Sequence, residues 1–248
     1  MLNFELVRFA HYELFNFEFP ASYSSIQNRR RKPRTIQNSK LKIQNSIKSI
    51  MKKEDITVMV ADASHEKYVD TILDTIEKAA KVRGTGIAKR THEYVATKMK
   101  EAKAVIALYG DEFVGFSYIE TWGNKQYVTT SGLIVDPKFR GLGVAKRIKD
   151  LTFTLARTRW PHAKIFSLTS GAAVMAMNTQ LGYHPVTFAD LTDDEAFWRG
   201  CEGCINVDVL KRTGRKYCIC TGMLYDPEEH LPAKLPEEVL ERLKKLSN

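Results

Sequence analysis

No apolar stretch in this chain of 248 residues approaches the roughly 18 residues that a bilayer crossing needs, so a membrane-spanning segment is not expected. The first twenty residues also lack a basic n-region, an uninterrupted apolar core and a small-residue cleavage site, so no secretory leader is expected. Both absences point to a soluble, cytoplasmic protein without a membrane partner. Cysteine is scarce as well: there are four, none before position 201, arranged as Cys201-x2-Cys204, thirteen residues, then Cys218-x-Cys220. Outside an oxidising compartment this clustering suits thiols or a thiolate metal site better than disulfides. Two readings stay open. The four cysteines bind structural zinc tetrahedrally, or they are two pairs of half-buried thiols lining a small sheet. In either case the chain between them is expected to form a hairpin that brings all four together.

Acidic residues are sparse only at the start. Residues 1–53 hold eleven Lys and Arg against three Asp and Glu, whereas the rest holds 27 against 26. The formal charge of +9 is therefore a property of one end, and the remainder is nearly neutral. That end repeats Ile-Gln-Asn at 26–28, 36–38 and 43–45, too irregularly and too closely for a solenoid. It also lacks the ordered aromatic interleaving of a nucleic-acid platform, so no nucleic-acid partner is expected. Residues 1–53 read as a basic disordered tail, or as translation begun upstream of a true start at Met51. Residues 54–190 read as the folded domain. Residues 191–248 form a Cys-containing C-terminal extension that ends in a helix with Pro236 at its start and Lys244 and Lys245 in its last turn.

Within 54–190, Ile56–Val60 alternates as a strand, and two helices follow, the second capped by Thr91. The loop between them carries Arg83, Lys89 and Arg90, cations able to receive a substrate carboxylate or simply a solvated surface. Three strands come next, Ala104–Leu108, Phe113–Thr121 and Tyr127–Val135, turned at Gly110-Asp111 and Gly123-Asn124. The third runs through Leu133, Ile134 and Val135 into Asp136-Pro137 and the turn Arg140-Gly141-Leu142-Gly143-Val144-Ala145. A helix with apolar positions Val144, Ile148, Leu151 and Leu155 then begins. The turn has no acidic side chain. Its glycines let backbone N–H groups approach a bulky anion at a helix N-terminus, where the dipole favours negative charge. The Gly-Lys-Ser/Thr end of a P-loop and the glycine triplet of a dinucleotide-binding turn are both absent.

The strand ending in Val-x-Pro followed by Arg-x-x-Gly-x-Ala resembles the pyrophosphate turn of the GNAT (Gcn5-related) N-acetyltransferases. Leu181-Gly182-Tyr183, at the end of a helix from Ala172, resembles the Leu-Gly-Phe/Tyr with which many of them close. The resemblance covers about Ile56 to Phe188. The cysteine segment, with Arg83-Gly-Thr-Gly86 and Thr130-Ser-Gly132, is similar to a Bacteroidetes branch linked to arginine biosynthesis and proposed as N-acylglutamate synthases. It implies an α/β (α+β) GNAT fold with a central mixed, mostly antiparallel sheet flanked by helices.

It further implies acetyl-CoA or another acyl-CoA as co-substrate, held at Leu133, Ile134, Val135 and Arg140 to Ala145. The implied reaction is direct attack by the amine of a small amino acid, with glutamate the first choice, on the thioester, with the protein alone or as a homodimer. Alternatives are acylation of a protein N-terminus, lysine or polyamine, or a non-catalytic module that senses CoA or binds zinc. The Asn that usually opens the last helix is Gly171 here, and the Tyr that often serves as general acid is Asn178. Glu120, at the end of its strand and on the face of Tyr118, is the expected base. Tyr183, or otherwise Tyr217, is the expected acid.

Overall fold

The computed structural model describes residues 53–83, 90–230 and 241, all within one unit of the chain, Gln44–Asn248. The basic tail, Lys89, the side chain of Arg83 and all but one residue of the expected terminal helix lie outside the described residues. No described helix is long and apolar enough to cross a membrane.

Among the described residues, seven strands form one sheet in the order β1-β2-β3-β4-β5-β7-β6. They are β1 (Ile56–Val60), β2 (Ala104–Tyr109), β3 (Glu112–Trp122), β4 (Tyr127–Val135), β5 (Lys164–Thr169), β6 (His184–Val186) and β7 (Thr221–Tyr225). Every neighbouring pair is antiparallel except β4 with β5. This is the mixed α+β GNAT fold that the motifs imply. The helices are α1 (Val69–Arg83), α2 (His92–Lys100), α3 (Val144–Arg159), α4 (Ala172–Gln180), α5 (Glu195–Arg199) and α6 (Val207–Arg212).

Side-chain alternation sorts the two faces. On β2, Ala104, Ile106 and Leu108 pack with Val69, Ile72 and Ile76 of α1 and Val95 and Met99 of α2. Val105 and Ala107 pack with Val144, Ile148 and Leu155 of α3. Each fully buried aliphatic side chain contributes about 1.5–3 kcal/mol, enough to fix which face is which. Met175 and Leu181, from α4 and its C-cap, join the α3 side. Phe166, Leu224, Trp198 and Leu210 make a third cluster under the C-terminal segment, with Trp122 packed against it.

Between Cys204 and Cys218 the chain forms the short helix α6 rather than the expected hairpin. Asp208 in the first turn and Lys211 and Arg212 in the last suit the helix dipole, and Gly214 and Arg215, both at positive φ, turn the chain back. The strand of this region is β7. It pairs with β5 on one side and β6 on the other, so residues beyond 190 supply an interior strand of the sheet.

Candidate active site

Three register pairs join β4 to β5: Tyr127 with Lys164, Val128 with Ile165 and Thr129 with Phe166. Beyond Thr129 the strands part, and a cavity of about 490 Å³ opens along the gap. A bulge sets what β4 presents there. Phe116 faces Ile134 while Tyr118 faces Ser131, so β4 carries one extra residue. Gly132 takes φ +67°, and a Cβ on it would lie 2.6 Å from the Tyr118 ring. The extra residue reverses the alternation. Ahead of the bulge, Val128 and Thr130 face α3; after it, Leu133 and Val135 do, while Ile134 turns to α1.

The cavity therefore reaches both faces of the sheet. Ile76, Arg90, Thr91, Tyr94 and Tyr118 line it on the α1 and α2 side, and Lys149 of α3 and Val174 of α4 on the other. Phe197, Cys201, Leu210 and Cys220 of the C-terminal segment form the far wall. Asp194 fastens this segment by accepting from Gly123 N–H and Ala196 N–H, each at 2.9 Å. Among the described residues no carboxylate borders the cavity, whereas Arg90 and Lys149 do. The Arg90 Nε donates to Tyr118 Oη at 2.5 Å, and its guanidinium stands 5.8 Å and 5.7 Å from the Tyr94 and Tyr118 ring centres.

Leu133 and Ile134 belong to the wall, and the glycine turn lies just past the end of β4, outside it. Leu142 and Val144 are buried while Gly141 and Gly143 are exposed, so the turn is anchored by alternate side chains and its glycines face solvent. Gly141 and Gly143 take φ +84° and +76°, and a Cβ on Gly143 would meet nothing within 4 Å. Helix α3 starts with no side-chain cap and no acidic residue in its first turn. A capless helix start beside open space fits a phosphate group. Arg140 does not project over this space through its Nε, which donates to the Val135 carbonyl at 3.1 Å and ties the turn to β4.

Residues 90–183 match the sequence profile of the acetyltransferase (GNAT) family. The chain contains a GNAT acetyltransferase domain. The fold is also that of N-acetylglutamate synthase from Neisseria gonorrhoeae, solved with coenzyme A and N-acetyl-glutamate. That comparison has a TM-score of 0.51 and 15% identity over 69% of this chain, and the chain spans 35% of the synthase's length. Rv2747 of Mycobacterium tuberculosis, solved with CoA, aligns at a TM-score of 0.49 and 18% identity, covering 68% of this chain and 98% of that one. The yncA protein of Salmonella typhimurium, solved with acetyl-CoA, aligns at 0.48 and 14% identity, covering 73% and 99%. Among curated proteins, none matches the chain.

Other expected residues of the GNAT domain lie away from the cavity. Glu120 sits between the wall residues Tyr118 and Trp122 but is not itself in the wall. Its carboxylate binds the Lys98 ammonium, accepts from Thr121 N–H at 3.0 Å and lies 3.5 Å from Lys103. Burial raises its pKa, but the Lys98 hydrogen bond, the Thr121 N–H and the charges of Lys98 and Lys103 outweigh that and hold it below the ordinary carboxylate value. The structure thus gives Glu120 an ion pair where the sequence suggested a base facing substrate. Glu120→Gln is expected to lower stability by about 1–3 kcal/mol, less than the 3–5 of a fully buried pair because the carboxylate keeps 14% exposure. The deficit is present above the unfolded pKa of about 4.3 and vanishes as pH falls through the lower folded value. Denaturant titration of parent and variant at pH 7 and pH 3 measures it. A fall in turnover with unchanged stability at pH 7 would return Glu120 to catalysis.

Tyr183 is buried at 2% exposure, packed between Phe153 and Tyr225, and does not border the cavity. Its hydroxyl lies near the Thr130 hydroxyl, and burial outweighs that contact and pushes the phenol's pKa up. Tyr217 is 69% exposed and also outside the wall. Neither phenol is part of the cavity wall, although Tyr183 packs behind the wall residues Thr130 and Lys149. All four cysteines border it as free, half-buried thiols. Burial and the neighbouring thiols push Cys201 and Cys220 up to about 11, so as free thiols both are neutral at pH 7. Among the described residues no group of three or more His, Cys, Asp or Glu is arranged to hold a metal ion.

Sequence reasoning missed Lys149, which is 2% exposed and donates from Nζ to Thr130 Oγ1 at 2.6 Å. A signal was available. Ala145, Lys149, Thr152 and Ala156 share the i, i+4, i+7, i+11 spacing of one helix face, and the last three are buried.

Proposed function

We propose that this acyl-CoA-dependent N-acetyltransferase acylates the amine of a small amino acid whose carboxylate pairs with Arg90, with L-glutamate as the first acceptor to test. One observation carries the reading: among the described residues the cavity wall holds Arg90 and Lys149 and no carboxylate. Such a wall attracts an anionic acceptor and repels a polyamine. Arg90 lies on the α1 and α2 side of the sheet, opposite α3, so acceptor and coenzyme would enter from different faces and meet where β4 and β5 part. The acceptor of the gonococcal synthase, which shares the fold, is consistent with this choice.

The unpaired edge of β4 from Thr130 onward offers amide groups to the coenzyme's pantetheine arm, as to an added strand. The glycine turn would receive the pyrophosphate through backbone N–H groups. When bound, the coenzyme supplies the activated acyl group. The protein contributes positioning, exclusion of water by the C-terminal wall, and hydrogen-bond donors for the thioester oxygen.

Free-thiol release from acetyl-CoA, followed against glutamate, neutral amino acids, spermidine and a peptide N-terminus, tests the acceptor class. Glutamate should lead. Arg90→Met should raise its KM about 10- to 100-fold, the loss of one charge-assisted hydrogen-bonded pair, while the KM for acetyl-CoA holds. Spermidine or the peptide outperforming glutamate would overturn the reading.

A further inference from the structure

We infer that Lys149 sits against the sulfur of bound coenzyme A and gives its proton to the departing thiolate, in place of the phenol that this domain lacks at Asn178. The inference rests on the proposed coenzyme site and goes beyond it.

The geometry around the side chain carries it. Nζ has three N–H donors and, among the described residues, one acceptor, the Thr130 hydroxyl on β4. The ammonium stands 5.0 Å from the centre of the Tyr183 ring, on the α3 side of the cavity, at the level where β4 leaves β5. No carboxylate is paired with it among the described residues. Asp150, next to it in α3, lies 3.5 Å from Lys146 with both side chains well exposed. The titratable group facing Lys149 is the Tyr183 phenol. Ser167 of β5, an uncharged polar residue that accepts from Asn178 Nδ2 at 2.8 Å, lines the same cavity. Removing an ammonium from water without a counter-charge is costly, so a position of this kind persists where a negative charge arrives.

Burial pushes Lys149 down to about 7. At neutral pH the side chain is thus poised between holding and releasing its proton, which suits a general acid. As the acceptor nitrogen forms its bond to the acyl carbon, the C–S bond breaks and its electron pair stays on sulfur. Lys149 Nζ–H transfers its proton to that sulfur, giving the free thiol. The acceptor nitrogen loses one proton to solvent, and the neutral lysine regains one from solvent, so the enzyme ends as it began.

The test reads the coenzyme thiol directly. CoA bound to the parent is titrated by thiolate absorbance and compared with CoA bound to Lys149→Met and Lys149→Arg, with affinity measured by calorimetry. In the parent, the bound thiol should be half-ionised at least about one pH unit below the roughly 8.5 of a free thiol. Lys149→Met should lose this shift, and Lys149→Arg should keep it. With acetyl-CoA and L-glutamate, kcat should fall about 100-fold in both variants, because Arg holds the charge but gives up no proton. Equal thiol titration in parent and Lys149→Met, with CoA bound to both, would overturn the inference. A shift without turnover of glutamate would uphold the placement of Lys149 and sink only the acceptor. A parent that does not bind CoA would overturn both readings together.

Discussion

Gly143→Asp should weaken coenzyme A binding at least about 100-fold, close to 2.7 kcal/mol, without unfolding the domain. The position tolerates bulk, since a Cβ there meets nothing within 4 Å, so the folded state has room for the side chain. The room is where a pyrophosphate would lie, against the uncapped start of α3. A carboxylate placed there occupies the anion site with like charge. The backbone at φ +76° costs a non-glycine residue about 1–2 kcal/mol, but Asn and Asp tolerate it better than most. Gly143→Asn, which carries the same shape and strain without the charge, is the control and should bind markedly better than Gly143→Asp. Calorimetry with CoA and a thermal melt of each variant separate binding from folding. If Gly143→Asp binds like the parent, the turn is not the phosphate cradle.

Gly132→Val should lower stability by about 2–4 kcal/mol, a fall in Tm of roughly 5–15 °C for a domain of this size. Two costs coincide. The backbone at φ +67° is unfavourable for a β-branched residue, and the new Cβ would sit 2.6 Å and 2.9 Å from two carbons of the Tyr118 ring. Tyr118 is itself buried and held by Arg90, so it has little room to withdraw. Trimming it in Gly132→Val/Tyr118→Leu should recover part of the loss, and the double-mutant cycle separates overlap from backbone strain. Because the bulge decides which β4 side chains face α3, any folded Gly132→Val should also lose turnover. An unchanged melt would mean that β4 does not need the bulge.

Local signals made much of the fold legible. The strands from Ile56, Ala104, Tyr127 and Lys164 begin where period-two patterning and turn residues place them. Thr91 caps α2 by accepting from Tyr94 N–H, and Gly182 ends the helix region at φ +90°. The misses are non-local. Strand β7 is five residues long with a glycine inside, and its partners lie about forty and sixty residues away on β6 and β5. The strand-end placement of Glu120 could be read from the sequence, but the Lys98 that neutralises it comes from a helix whose docking the sequence does not encode locally. Lys149 was hidden by its type, since a lysine in an amphipathic helix is ordinarily taken as part of the wet face. The segment between the cysteine pairs suggested a hairpin, yet α6 forms there, with Asp208 in its first turn and Lys211 and Arg212 in its last.

The parting of β4 and β5 has a mechanical side. Two blocks of sheet, β1 to β4 and β5 with β7 and β6, are stitched by three parallel pairs at one end only. Such a seam is an edge strand held inside a protein, its free amides protected from other chains but not from thermal opening. The second block carries the C-terminal wall, and the core under α3 draws on both blocks, so beyond the stitched end it is side-chain packing that sets how far the wall stands from β4. A ligand lying along β4 would act as the missing stitching, which makes occupancy and rigidity two readings of one event.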